Sequence, residues 1–183
     1  MTTPQNQGTA TLQAQLADGA LSGSWTLDPA RSTATLRSKS LWGLVPVKGV
    51  FRDLEGSGTV SPTGEVTGHV AVATGTLDTK NAKRDTHLRS DDFFLSEKYP
   101  AITFSLEQAT LAAGGATVSG TLTVRDRSRP ISFPVTATLN GDGTAALDAT
   151  VQVDRSDFGL TWNQLGMASM KNTVTIHVVF TRS

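Results

Sequence analysis

From Ser24 to Phe180 apolar and polar residues alternate with a period of two, and this limits what the chain can become more than any other feature. The dry positions are Trp25 and Leu27; Val45, Val47, Gly49 and Phe51; Val66, Gly68, Val70 and Val72; and Ile102, Phe104 and Leu106. The pattern continues at Val118, Gly120, Leu122 and Val124; at Ile131, Phe133, Val135, Ala137 and Leu139; at Leu147, Ala149, Val151 and Val153; and at Val174, Ile176, Val178 and Phe180. A strand turns successive side chains to opposite faces, so each run predicts a strand with one wet and one dry face. Pro46, on the polar side of its run, predicts an edge or a bulge. Ser61-Pro62-Thr63-Gly64, Gly114-Gly115 and Asn140-Gly141-Asp142-Gly143 read as hairpin turns, and Arg125 to Pro130 as a fourth, longer connection. Short strands joined this way predict an all-β meander. Closing it into a barrel removes the edges that invite aggregation.

Composition narrows the function classes. Charged residues are 17%, with 16 basic against 16 acidic, so the chain lacks the basic footprint expected of a nucleic-acid partner. With no cysteine there is no disulfide and no thiol catalysis. His69, His87 and His177 lie far apart, which predicts no metal site, and no G-x-S-x-G elbow is present. No apolar run approaches the roughly 18 residues of a membrane span, so stable membrane insertion is not expected. The start, Met1 to Gln7, lacks the basic and apolar segments of a secretory signal, which predicts a cytoplasmic protein. Residues 1–22 are polar apart from Leu12, Leu16 and Leu21 and read as a flexible tail, leaving 23–183 as one domain.

Two stretches break the period. In Asn81 to Tyr99, Asn81 is placed to cap a short helix, and Ser90, followed by Asp91 and Asp92, to cap a second; Pro100 then ends the insertion. Arg155 to Lys171 carries Phe158, Leu160, Trp162, Leu165, Met167 and Met170, a large apolar content for a connection, which predicts that it plugs a core or lines a mouth. Arg127 and Arg129 read as solvated, with contact to anionic lipid as the other reading.

Several blocks together resemble one family. They are Trp25-Thr26-Leu27-Asp28-Pro29, Val47-Lys48-Gly49-Val50-Phe51, Leu77-Asp78-Thr79, and Arg84-Asp85-Thr86-His87-Leu88-Arg89-Ser90-Asp91-Asp92-Phe93-Phe94. Tyr99-Pro100-Ala101-Ile102-Thr103-Phe104, Val118 to Val124 and Val153 to Gly159 follow. The chain resembles the YceI-like, or polyisoprenoid-binding, family over roughly Ser24 to Phe180. The resemblance implies a closed eight-stranded antiparallel lipocalin-like barrel with a short helical insertion, holding an isoprenoid chain or related amphiphile in its interior.

The residues then suggest a site. An eight-stranded barrel is either filled by side chains or left with room for one slim ligand. Here Val, Ala and Gly on the dry faces, with Gly49, Gly68 and Gly120 removing side chains, favour a tube. Its expected apolar wall is Leu36, Phe51, Val70, Val72, Phe104, Leu122, Phe133, Val151, Phe158, Leu160, Trp162, Met167 and Ile176. The headgroup candidates are Arg84, Asp85, His87, Arg155 and Asn163: Arg suits phosphate, and neutral donors suit a quinone carbonyl. The first reading is non-catalytic carriage of a long-chain isoprenoid of quinone or polyprenyl type, with no cofactor beyond that lipid. Two others stay open: a lipid-modifying enzyme using His87 and Asp85, and a structural or stress-related barrel with a filled core. A homodimer is also left open.

Overall fold

In the computed structural model, which describes residues 4–112 and 114–183, eleven strand segments make one antiparallel sheet. They are β1 (Gly23–Leu27), β2 (Thr33–Ser40), β3 (Val45–Phe51), β4 (Leu54–Val60), β5 (Val66–Ala73), β6 (Leu77–Asp78), β7 (Ala101–Ala112), β8 (Gly115–Val124), β9 (Arg127–Leu139), β10 (Ala145–Asp154) and β11 (Lys171–Arg182). Three pairs of segments are bent single strands. A 3-10 turn at Pro29–Arg31 breaks β1 from β2, Arg52-Asp53 breaks β3 from β4, and a turn at Thr74–Thr76 breaks β5 from β6. The result is an up-and-down barrel of eight strands. It closes because β11 pairs β10 on one side and both β1 and β2 on the other, with Leu27 opposite Phe180 and Leu36 opposite Val174.

Helices cover the two ends. Where a flexible tail was expected, the structure has α1 (Pro4–Ala17), although Met1 to Thr3 lie outside the described residues. Leu12 is buried and Leu16 packs against Gly64 in the β4–β5 turn, so the weak apolar stripe suffices to lay a helix across the barrel end. At the other end stands α2 (Ala82–Arg89), capped by Asn81, whose Oδ1 accepts from the Arg84 N–H at 3.0 Å. The second helix expected after Ser90 is absent: the Ser90 hydroxyl instead donates to the His87 carbonyl at 2.6 Å and closes α2. No described helix is long and apolar enough to cross a membrane.

The wall has one seam. The ladder between β9 and β10 runs from Leu139–Ala145 to Thr136–Asp148 and stops there, leaving residues 127–135 of β9 without a β10 partner. Arg125 to Pro130, expected as a long connection, is a turn of Arg125-Asp126, and the strand resumes at Arg127. Arg125 takes a left-handed φ of 57° to make that turn. The Val135 carbonyl faces β8, so by alternation the even residues of β9 turn their backbone toward β10. Pro130 and Pro134 hold two of those places, and neither has an N–H to offer. Where the strands fork, an outer cleft of about 360 Å³ opens beside Pro134 and Thr150.

Gly49 and Gly120, read above as emptying the interior, mainly permit close approach. A Cβ on Gly49 would stand 2.6 Å from Leu77 Cδ1, and one on Gly120 would collide with the Ser105 carbonyl beside the β7–β8 bulge.

Candidate functional site

Inward-facing residues of all eight strands enclose a cavity of about 970 Å³ that extends from Leu12 on α1 to Trp162 near the opposite end. A filled core is therefore excluded: Phe51, Phe104, Phe133 and Phe158 sit on the wall of an open space. The Phe104 and Phe133 rings, 5.2 Å apart, lie against one another on the same side of it. Of the expected apolar wall, Leu36, Phe51, Val70, Val72, Phe104, Leu122, Phe133, Val151, Phe158, Leu160, Trp162 and Ile176 all line the cavity. Met167 does not; it ends the 3-10 turn at Gln164–Gly166, and its carbonyl accepts from the Trp42 N–H. Reading the strands alone missed Leu12 and Leu16 of α1 and Leu88, Phe93 and Phe94 of the insertion, which close the two ends. Leu12 and Leu16 carried a signal, the four-residue spacing of one helical face.

Polar groups gather at the α2 end. Arg84 Nε donates to Thr79 Oγ1 at 2.8 Å and its Nη2 to the Thr79 carbonyl at 2.8 Å. Asp85 is buried and does not line the cavity. Its Oδ1 accepts from the Thr79 N–H at 3.0 Å and from the Thr79 hydroxyl at 2.5 Å, which fastens α2 to β6. Asn163 is also turned away, accepting from the Ala168 N–H at 2.8 Å to hold its own loop. Both short polar side chains serve nearby backbone, a use that competes with any ligand.

His87 and Arg155 do line the cavity. His87 Nε2 meets Asp92 Oδ2 at 2.8 Å, and its ring stands edge-on to Trp162 at 4.5 Å and to Phe93 at 5.2 Å. The supposed His87/Asp85 dyad is thus not assembled, since each partner is engaged elsewhere. Arg155 is buried over the Phe93 ring. It donates to the carbonyls of Ser169 (2.9 Å), Leu160 (2.5 Å) and Ala168 (3.5 Å), so it organises the β10–β11 loop from within. Burial pushes its pKa below the usual arginine range. Neither Arg84 nor Arg155 forms an ion pair with a carboxylate among the described residues, but Asp154 acts on Arg155 from nearby and the Thr79 hydroxyl links Arg84 to Asp85. Arg155→Gln should destabilise the protein by about 2–4 kcal/mol, because a shorter neutral amide cannot reach three carbonyls and each buried orphan costs about 1–3 kcal/mol. Urea unfolding measures this, and an unchanged midpoint would contradict the role.

Comparison with known proteins agrees with the geometry. The model of the YceI-like domain matches residues 25–181. A UPF0312 protein of Yersinia enterocolitica is 31% identical over 138 residues, covering 71% of each chain, and the YceI protein of Escherichia coli is 29% identical over the same length and coverage. Among solved structures, Burkholderia cenocepacia BcnA superposes with a TM-score of 0.76 at 21% identity, covering 84% of this chain and 98% of that one. A polyisoprenoid binding domain from Saccharophagus degradans gives 0.69 at 18% identity, covering 87% and 98%. At these identities both establish the shared fold.

Proposed function

Because the chain belongs to the YceI-like domain family, we propose that it is a non-catalytic carrier of a long-chain isoprenoid lipid, of quinone or polyprenyl type, housed in the barrel. One observation carries this reading: the cavity of about 970 Å³ is walled mainly by aliphatic and aromatic side chains, with Arg84 and Arg155 among its lining at the α2 end. Pockets of roughly 300–1,000 Å³ with few convergent polar groups are ligand sites. Each methylene moved from water into such a wall contributes about 0.8 kcal/mol, so affinity should scale with apolar length. The solved relative described as a polyisoprenoid binding domain supports the ligand class.

Arg84 and Arg155, which line the cavity at the α2 end, favour a headgroup rich in oxygen acceptors, either a phosphate or a quinone carbonyl. Engagement of His87 with Asp92, and of Asp85 with Thr79, favours binding over turnover. Organic extraction of protein purified from its own host, followed by mass spectrometry, should yield close to one isoprenoid lipid per chain. Recovery of no lipid, together with no uptake of added isoprenoid quinone or polyprenyl phosphate, would remove the carrier reading.

A further inference from the structure

We propose that the tip of the β2–β3 hairpin is a docking element for an anionic lipid surface, an inference that rests on the carrier reading and says where the barrel meets the membrane. The ribbon outruns its neighbours: β11 pairs β2 only as far as Arg37, and β6 pairs β3 only at Val50 and Phe51. Past those points the chain reads Leu41-Trp42-Gly43-Leu44-Val45. Trp42 is 67% and Leu44 80% exposed, and Leu165 of the adjoining loop is 79% exposed. Scattered single apolar residues on a surface need no explanation, but this group is contiguous.

Three bonds make the loops one unit, one of them from the Ser169 N–H to the Lys39 carbonyl at 2.9 Å. Trp42 Nε1 donates to the Leu165 carbonyl at 3.3 Å, and the Trp42 N–H to the Met167 carbonyl at 3.3 Å. The backbone is forced to present these side chains. Leu41, Trp42 and Leu165 take φ values of 49°, 55° and 54°, a left-handed region that bulky residues normally avoid. Ser38, Ser40 and Trp162, which flank the tip and its partner loop, line the cavity, so the tip stands at the chamber's α2 end.

Charge selects the occupant. No acidic residue occurs between Asp28 and Asp53. Arg37 is directly opposite Lys48 across the ribbon, and Lys39 is exposed on the same two strands. Like charges so placed repel. Among the described residues none of the three forms an ion pair, which leaves them free to meet an external negative charge. A second copy of this chain fits poorly: a stable interface needs roughly 20–30 residues a side, far more than one hairpin tip, and a two-fold axis here would bring the same cations together. An anionic bilayer supplies both apolar depth for Trp and Leu and negative charge for the cations.

The test is sedimentation of the whole protein, as purified from its host, with vesicles of phosphatidylcholine alone or mixed with phosphatidylglycerol. Binding should be roughly tenfold stronger or more on the anionic vesicles and fall with added salt. Trp42→Ser with Leu44→Ser should abolish binding on both, and Arg37→Glu with Lys48→Glu should remove only the anionic preference. Circular dichroism and extracted lipid content should match the parent protein, which separates lost docking from lost folding or lost ligand. Equal binding by the tip variants overturns the proposal, as does a dimer that vanishes in Trp42→Ser without any vesicle binding. If the parent protein docks in this manner but holds no lipid, the carrier reading falls and the docking element stands.

Discussion

Val70→Trp combined with Ala149→Trp is expected to cut isoprenoid uptake by roughly 100-fold or more while leaving the protein folded. Val70 lies on β5 and Ala149 on β10, four positions apart around the eight-strand ring, and both line the cavity. Two indoles added from opposing walls would displace several methylenes of any threaded chain. At about 0.8 kcal/mol for each one excluded, the loss of four or five is about 3–4 kcal/mol. Adding bulk to a packed core would also cost about 1–3 kcal/mol, but here the bulk enters existing space. Binding of a fluorescent or tritiated isoprenoid measures uptake, and thermal unfolding without lipid controls for stability. Unaltered uptake by a folded double variant would place the ligand outside the barrel.

Leu77→Ala should cost about 2–5 kcal/mol of stability. At 1% exposure Leu77 is among the most deeply buried side chains, although its strand β6 has only two residues. It packs over Gly49, where any Cβ would stand 2.6 Å from its Cδ1. Gly49→Ala alone should therefore cost about 1–3 kcal/mol by crowding. In the double variant the new methyl enters the space the leucine vacates, so the combined loss should be smaller than the two single losses added together. Urea denaturation of the four proteins measures the coupling. Simple additivity would mean that these residues do not share a packing site.

The barrel was legible from the sequence because its signal is local and repeated. Runs such as Ile131, Phe133, Val135 and Ala137 sit on the cavity wall as alternation requires. The Asn81 cap was legible too, since capping is settled within a few residues. The failures involve choices made at a distance. Whether Asp85 and Asn163 face a ligand depends on whether Thr79 and Ala168 claim their oxygens first, and nothing in the spacing decides that. Ser90 can cap either the helix before it or one after it, and the His87 carbonyl wins. Residues 4–17 carry too little apolar character to announce a helix; only a barrel end to lie against gives Leu12 somewhere to go. Within the expected longer connection from Arg125 to Pro130, nothing local announces that the Arg125 guanidinium donates to the carbonyls of Asp91 and Phe93 and ties the β8–β9 turn to the helical insertion.

A tube stitched all round by backbone hydrogen bonds has a fixed bore. This one is unstitched between β9 and β10 over the half nearer α2, and Pro130 and Pro134 keep it from being sewn shut by either its own neighbour or a stranger's strand. Its girth can therefore yield without any ladder being torn. Branched chains with methyl groups at regular intervals are wider than straight ones, and on the carrier reading proposed above this seam is where the wall would make room for them.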